Sequence, residues 1–176
     1  MIVGVEGLSR AGKTTFINKF LEAYPETIRF RGAGAVNVGI QSRWQEYNYW
    51  MHNIIEQLDK LNENKINILW DRFMTDCVHS HDENYASEIL RAMKSHKNKI
   101  VIFIDVPIEV LNTRGSKEGG YIKERRDKYL EKLSGFNHLT IKPEKSNHYQ
   151  ITDQHIEEAF NFIRKHKQDK NFKDPY

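Results

Sequence analysis

GLSRAGKTT, residues 7–15, decides how this chain is read. Its first eight residues match the spacing G-x-x-x-x-G-K-[ST] without a mismatch. The chemistry accounts for the spacing. Glycines let consecutive backbone N–H groups turn inward around an oxyanion, and a helix that follows adds the positive end of its dipole. In such a loop Gly7, Ser9, Arg10, Ala11, Gly12, Lys13, Thr14 and Thr15 line a phosphate chain. Lys13 reaches the β- and γ-phosphates, and the Thr14 hydroxyl holds Mg²⁺. The plainer reading is a chance glycine turn, which would require no particular flanks. Here MIVGVE (residues 1–6) reads as a short buried strand before the loop. Residues 11–24 read as a helix after it, with Phe16, Phe20 and Leu21 on one face and Pro25 as a stop.

Working outward, strands and helices alternate. TIRF (residues 27–30) is a second strand candidate, followed by the glycine-rich RGAGAVNVG. Over residues 42–62 the positions Tyr47, Met51, Ile54, Ile55, Leu58 and Leu61 recur at three and four, as a half-buried helix requires. KINILWD (65–71) reads as a third strand, 85–97 as a helix, and KIVIFIDV (99–106) as the most apolar strand. Pro107 opens a helix over 108–114. The glycine-rich GSKEGG (115–120) precedes a charged helix over 121–133. HYQIT (148–152) reads as the last strand, and Asp153 as the cap of a final helix with Ile156, Phe160 and Ile163 on one side. The ending QDKNFKDPY (168–176) reads as frayed. Apolar strands separated by crossover helices imply a parallel five-stranded sheet covered on both faces, a three-layer α/β/α fold. The 176 residues suit one domain, and no repeat or linker divides them.

Bulk properties exclude several classes. At 39% hydrophobic and 29% charged the chain is not disordered, and Lys+Arg 27 against Asp+Glu 24 is too balanced to advertise a duplex-DNA binder. One cysteine, Cys77, cannot form an internal disulfide, and no apolar run approaches a membrane span. The N-terminus lacks the basic start and apolar stretch of a signal peptide. These features lead to the expectation of a cytoplasmic protein. Among phosphate-loop proteins, a guanine-reading Asn-Lys-x-Asp loop is missing. Asn64-Lys65-Ile66-Asn67 lacks the aspartate and precedes its strand.

The sequence resembles the thymidylate kinase family of nucleoside-monophosphate kinases over nearly its whole length. Residues 3–15 look like that family's opening strand and phosphate loop. Arg29-Phe30 is similar to the start of its second-strand loop, and Asp71-Arg72-Phe73 to the Asp-Arg-aromatic motif ending its third strand. Residues 103–110 resemble the fourth strand and its turn. Arg114-Gly115 with residues 120–125 resembles the lid (about 114–121) and the helix behind it.

The resemblance implies ATP and Mg²⁺ as cofactors, a nucleotide acceptor and a homodimer. It makes Arg10 an arginine finger on the transferred phosphoryl, a group worth about 10³–10⁵ in rate where measured in GTPases. A solvated loop arginine is the plainer alternative. Asp71 would meet Mg²⁺ through water, beside Thr14, and Arg72 would grip the acceptor's phosphate, for which a guanidinium fork suits the geometry. Against this stands a simple salt bridge at the sheet's end. Arg114 lies against the donor adenine or is an end-of-helix cation. A class of the family that carries its arginine in the phosphate loop needs none in the lid, and GSKEGG offers only Lys117.

The match breaks at three places. The family usually has an aspartate where Ser9 stands. The loop after Arg29-Phe30 normally carries a proline and a second phosphate-binding arginine; here Arg31 either replaces that arginine or is exposed. In the base-reading helix Tyr47 and Trp50 stack on a pyrimidine or pack into the core. Residues 75–81, including Asp76, offer polar groups for a base edge in place of the family's contacts. His79, His81 and Asp82 form a weak metal candidate, since neighbours two apart on a helix diverge.

Three functions remain. A monophosphate kinase passes phosphate from ATP to dTMP. A deoxynucleoside kinase attacks with a sugar hydroxyl and wants a carboxylate base near the second strand's end, where Phe30-Arg31-Gly32 supplies none. A degenerate domain binds nucleotide without transfer.

Overall fold

A computed structural model describes residues 1–31, 57, 60, 67–74, 77–78, 83–95, 99–116 and 119–171. Five strands form one sheet: β1 (Ile2–Glu6), β2 (Ile28–Arg31), β3 (Ile68–Asp71), β4 (Lys99–Ile104) and β5 (His138–Ile141). Their spatial order is β2-β3-β1-β4-β5, and every neighbouring pair is parallel. β1, β3 and β4 are buried at every position. Such strands have no solvent face, which is why their sequences run apolar without alternating.

The α-helices with described bounds are α1 (Lys13–Ala23), α2 (Glu83–Ser95), α3 (Ile108–Thr113), α4 (Ile122–Leu133) and α5 (Asp153–Asn171). A 3₁₀ turn, Gly119–Tyr121, leads into α4, and another, Lys145–Asn147, follows β5. Aromatic side chains tie the layers together. Tyr129 of α4 lies 5.5 Å from Phe103 of β4 between ring centroids. Tyr24, just past α1, stacks on Phe160 of α5 at 3.9 Å with the planes 4° apart. This is the parallel α/β arrangement anticipated above.

The strand order positions the site. From β1 the chain goes to the edge strand β2, returns to β3, and then crosses β1 to reach β4. β1 is thus where the winding reverses, and in open α/β sheets ligands bind outside the carboxyl ends of the strands at such a point. The GLSRAGKTT loop leaves β1 at that end.

Two expectations fail. HYQIT is not a strand: His148 and Tyr149 have φ of 54° and 57°, left-handed values that turn the chain instead of extending it. The fifth strand is HLTI, paired with β4 from Val101↔His138 to Ile104↔Ile141. It is an edge strand, exposed at His138 and buried only at Ile141, so its apolar signal is weak. Asp153 is also not the cap of α5 but its first residue, and its carboxylate meets Lys19 at 2.6 Å. The cap position is Thr152, and the side chain that serves it is His155. The Thr152 N–H donates to Nδ1 of His155 at 3.0 Å, the return half of a capping box, and the Thr152 carbonyl accepts the N–H of His155 at 3.1 Å. Elsewhere the element ends shift by a few residues. α5 continues through residues 168–171, expected to be frayed, and residues 172–176 lie outside the described residues. The helix expected over 42–62 lies outside them too, apart from positions 57 and 60. Among the described residues no helix is long and apolar enough to cross a membrane.

Candidate active site

The phosphate loop turns at two glycines with positive φ. Gly7 has φ 145°, and a Cβ there would sit 2.6 Å from the Ile104 carbonyl oxygen of β4. Gly12 has φ 103°, and its Cβ would meet Ile151 at 3.3 Å. Between them Leu8 and Ala11 are buried, and the Ala11 N–H closes a turn on the Leu8 carbonyl at 3.2 Å. The cap residue of α1 is Gly12, which has no side chain to occupy the first amides of the helix. Those amides are left for an anion. Lys13 Nζ donates to the carbonyls of Gly7 at 2.6 Å and Leu8 at 2.8 Å. This holds the ammonium against the loop, where a phosphate oxygen can replace a carbonyl as acceptor. Thr14 and Thr15 are exposed on the first turn of α1, and Ser9 is half-buried.

Arg10 is an exposed non-glycine residue with φ 67°. Arg72 is another, with φ 69°, directly after β3. Left-handed backbone costs an ordinary residue about 1–2 kcal/mol, and such strain clusters at binding sites. The turn carrying Arg72 is fixed from β1: the Arg72 N–H donates to the Val5 carbonyl at 3.2 Å, and the Met74 N–H donates to the carboxylate of Glu6. Glu6 is fully buried. Gly4 lets Phe73 close over β1, since a Cβ would lie 2.9 Å from that of Phe73.

Asp71 lies beside this turn, in register with Val5 of β1 and Arg31 of β2. It is 5% exposed and accepts a hydrogen bond from the Arg29 guanidinium at 2.7 Å. The salt bridge weighed against a catalytic role therefore exists, but its cation is Arg29, one strand over. The Arg72 side chain has no ion pair among the described residues, and the same holds for Arg10.

Arg114 ends α3 in a Schellman motif: Gly115, at φ 67°, donates to the Asn112 carbonyl at 3.1 Å, and Ser116 to that of Leu111 at 3.0 Å. Its guanidinium is not spent on its own helix. It donates to the carbonyls of Arg10 at 3.3 Å, His148 at 3.1 Å and Tyr149 at 2.8 Å. Arg126 of α4 forks onto Asp105 just past the end of β4, at 2.8 and 2.7 Å. That hydrogen bonding is the main reason the Arg126 pKa is raised above the ordinary arginine value; burial pulls it the other way.

The structure thus brings Gly7 through Thr15, Asp71, Arg72 and Arg114 to the carboxyl edge of the sheet. Arg31 closes β2 there, with its side chain outside the description. Tyr47, Trp50 and Asp76 lie outside the described residues, as do Lys117 and the candidate metal group His79, His81 and Asp82. Among the described residues no cluster of three or more His, Cys, Asp or Glu side chains could hold a metal ion. A phosphate chain nonetheless suits the loop, because no cap side chain takes the first amides of α1 and the Lys13 ammonium lies against the loop carbonyls. For a divalent ion on that chain Thr14 offers an exposed hydroxyl, and Asp71 a carboxylate that Arg29 already holds. Sequence reasoning missed Arg29, Asp105–Arg126 and Ile151. Only Asp105 carried a signal, as a carboxylate ending the most apolar strand.

By sequence, no protein-family model and no curated protein matches the chain. By structure many solved chains do. A thymidylate kinase from Ehrlichia chaffeensis aligns with TM-score 0.60 at 16% identity, over 93% of this chain and 98% of that one. A sugar kinase from Janibacter sp. gives 0.56 at 16% identity, over 93% and 94%. A deoxyadenosine kinase from M. mycoides gives 0.53 at 16% identity, over 94% and 100%. The fold is that of the P-loop kinases. Within it, the loop after β1, the Asp71-Arg72 turn after β3 and the Arg114 strap after α3 form three sides of one mouth.

Proposed function

We propose that this chain transfers a phosphoryl group from ATP to a nucleoside monophosphate, with dTMP as the acceptor. One observation favours a phosphate acceptor over a hydroxyl. An attacking hydroxyl calls for a general base within hydrogen-bond reach. Among the described residues the carboxylates at the mouth have other engagements: Asp71 holds Arg29, Asp105 holds Arg126, and Glu6 is fully buried under the Met74 amide. An acceptor that is already anionic needs positioning and charge neutralisation, not deprotonation. Two arginines without ion pairs among the described residues, Arg10 and Arg72, would supply that charge.

In this reading Lys13 and the loop amides hold the donor's phosphates, and Thr14 helps seat Mg²⁺, with Asp71 behind it. Bound Mg²⁺ would neutralise charge between the β- and γ-phosphates. Arg72 holds the acceptor phosphate, and Arg10 reaches the group in flight. The choice of dTMP, a homodimeric assembly and a cytoplasmic setting rest on the resemblance and on composition alone.

A coupled assay for ADP release across nucleosides and nucleoside monophosphates tests the proposal. Turnover with monophosphates, dTMP foremost, is expected. Turnover only with nucleosides would make the chain a deoxynucleoside kinase, and ATP binding without transfer a nucleotide-binding module.

A further inference from the structure

We propose that Arg114 is a positioning residue for the phosphate loop: its guanidinium holds Arg10 in its left-handed conformation and couples the loop to the turn at residues 147–151. The proposal rests on the loop binding a nucleotide's phosphates, as argued above.

Four non-glycine residues in the described structure have positive φ: Arg10, Arg72, His148 and Tyr149. Arg114 donates to the carbonyls of three of them, and Arg72 is the exception. A left-handed residue swings its carbonyl out of line with its neighbours, so that oxygen needs a donor from elsewhere. One planar guanidinium with its N–H groups held in a fixed, wide fork serves three such oxygens at once, a spread that the compact, rotating donors of an ammonium do not reproduce. The Schellman turn at Gly115 sets where Arg114 leaves its helix. On the far side of the loop, Ile151 packs against Gly12. The loop is therefore gripped at Arg10 and at Gly12 by the same segment, with Arg114 bridging the two. Because Arg10's φ directs its side chain, a residue that fixes that φ also aims the candidate finger. This differs from Arg114 lying on the donor base, where its effect would depend on the base being present.

The two roles separate with a ligand that has phosphates and no base. Calorimetric affinities for Mg·ATP and for Mg·tripolyphosphate are measured on the full chain, as wild type, Arg114→Ala and Arg114→Lys. Positioning predicts that both ligands weaken by a common factor of about ten or more in either variant, the loss expected when charged hydrogen bonds are removed. Tripolyphosphate binding unchanged while ATP binding falls would overturn the proposal in favour of base contact. Wild type binding neither ligand would sink the nucleotide reading itself. Hydrogen exchange of the ligand-free protein guards against a merely unfolded variant. Amides of residues 8–12 should speed up in Arg114→Lys while those of β4 keep their protection. Equal acceleration in β4, or none in the loop, would also overturn it.

Discussion

Arg10 and Arg72 face the same edge of the sheet from backbone conformations that most side chains avoid. Strain of that kind persists only where surrounding structure over-determines it. Here Arg114 binds the Arg10 carbonyl, while Val5 and Glu6 bind the turn around Arg72. Arg10→Ala should lower turnover by about 10³–10⁵ if the arginine acts on the transferred phosphoryl, while ATP affinity changes little. Steady-state kinetics beside direct ATP titration would check this, and unaltered turnover would remove Arg10 from the mechanism. Gly7→Ala should abolish ATP binding, because the added methyl meets the Ile104 carbonyl and not a movable side chain. At this scale the loop was legible, since its residue types are dictated by the phosphate they surround. Arg29 was not. Its pairing with Asp71 follows from strand adjacency, which a one-dimensional pattern does not encode.

The elements were legible where burial is complete and obscure where it is partial. β1 and β4 announced themselves because both faces are covered. β5 is an edge strand with a mixed pattern, and the more apolar-looking HYQIT drew the assignment away from it. Its true character is a double left-handed turn whose carbonyls Arg114 collects. Capping was misread by one residue for a related reason: Asp153 and Thr152 are both good caps, and the partner that decides between them, His155, is not the usual Glu or Gln. His155→Ala should therefore cost roughly 1 kcal/mol, within the usual 0.5–2 for a lost cap, because its ring accepts the Thr152 N–H. Asp153→Ala should cost much less, because its bridge to Lys19 is largely exposed. Urea denaturation of the two variants tests the order, and a larger loss for Asp153→Ala would contradict it.

For the whole molecule, the order of strands explains why one mouth collects residues from segments far apart in sequence, and the alternation of strands and helices made that architecture readable. The acceptor's identity was not readable, because Tyr47, Trp50 and Asp76, to which the resemblance would give base recognition, stand where the match to that family is poorest. Global stability carries a pH signature at Tyr24. Burial first, then the charges of Glu157 and Glu26, raise the Tyr24 pKa above 10.0. The folded chain thus keeps the Tyr24 proton after the unfolded chain has lost it, and stability falls as pH rises beyond about 10. Tyr24→Phe should flatten that fall above about pH 10, and denaturation midpoints at rising pH would show an unchanged slope if Tyr24 were not its source. Lys167 acts with the opposite sign, its pKa lowered by burial from 10.5.

The central claim is that two phosphates meet at this mouth, one in the glycine loop and one on Arg72. Initial-rate kinetics of Arg72→Ala, varying ATP and dTMP separately, test it most directly. The account predicts KM for the monophosphate raised about ten- to a hundredfold, the worth of a charged hydrogen bond to phosphate, with KM for ATP nearly unchanged. Equal rises in both constants, or none in the acceptor's, would contradict it.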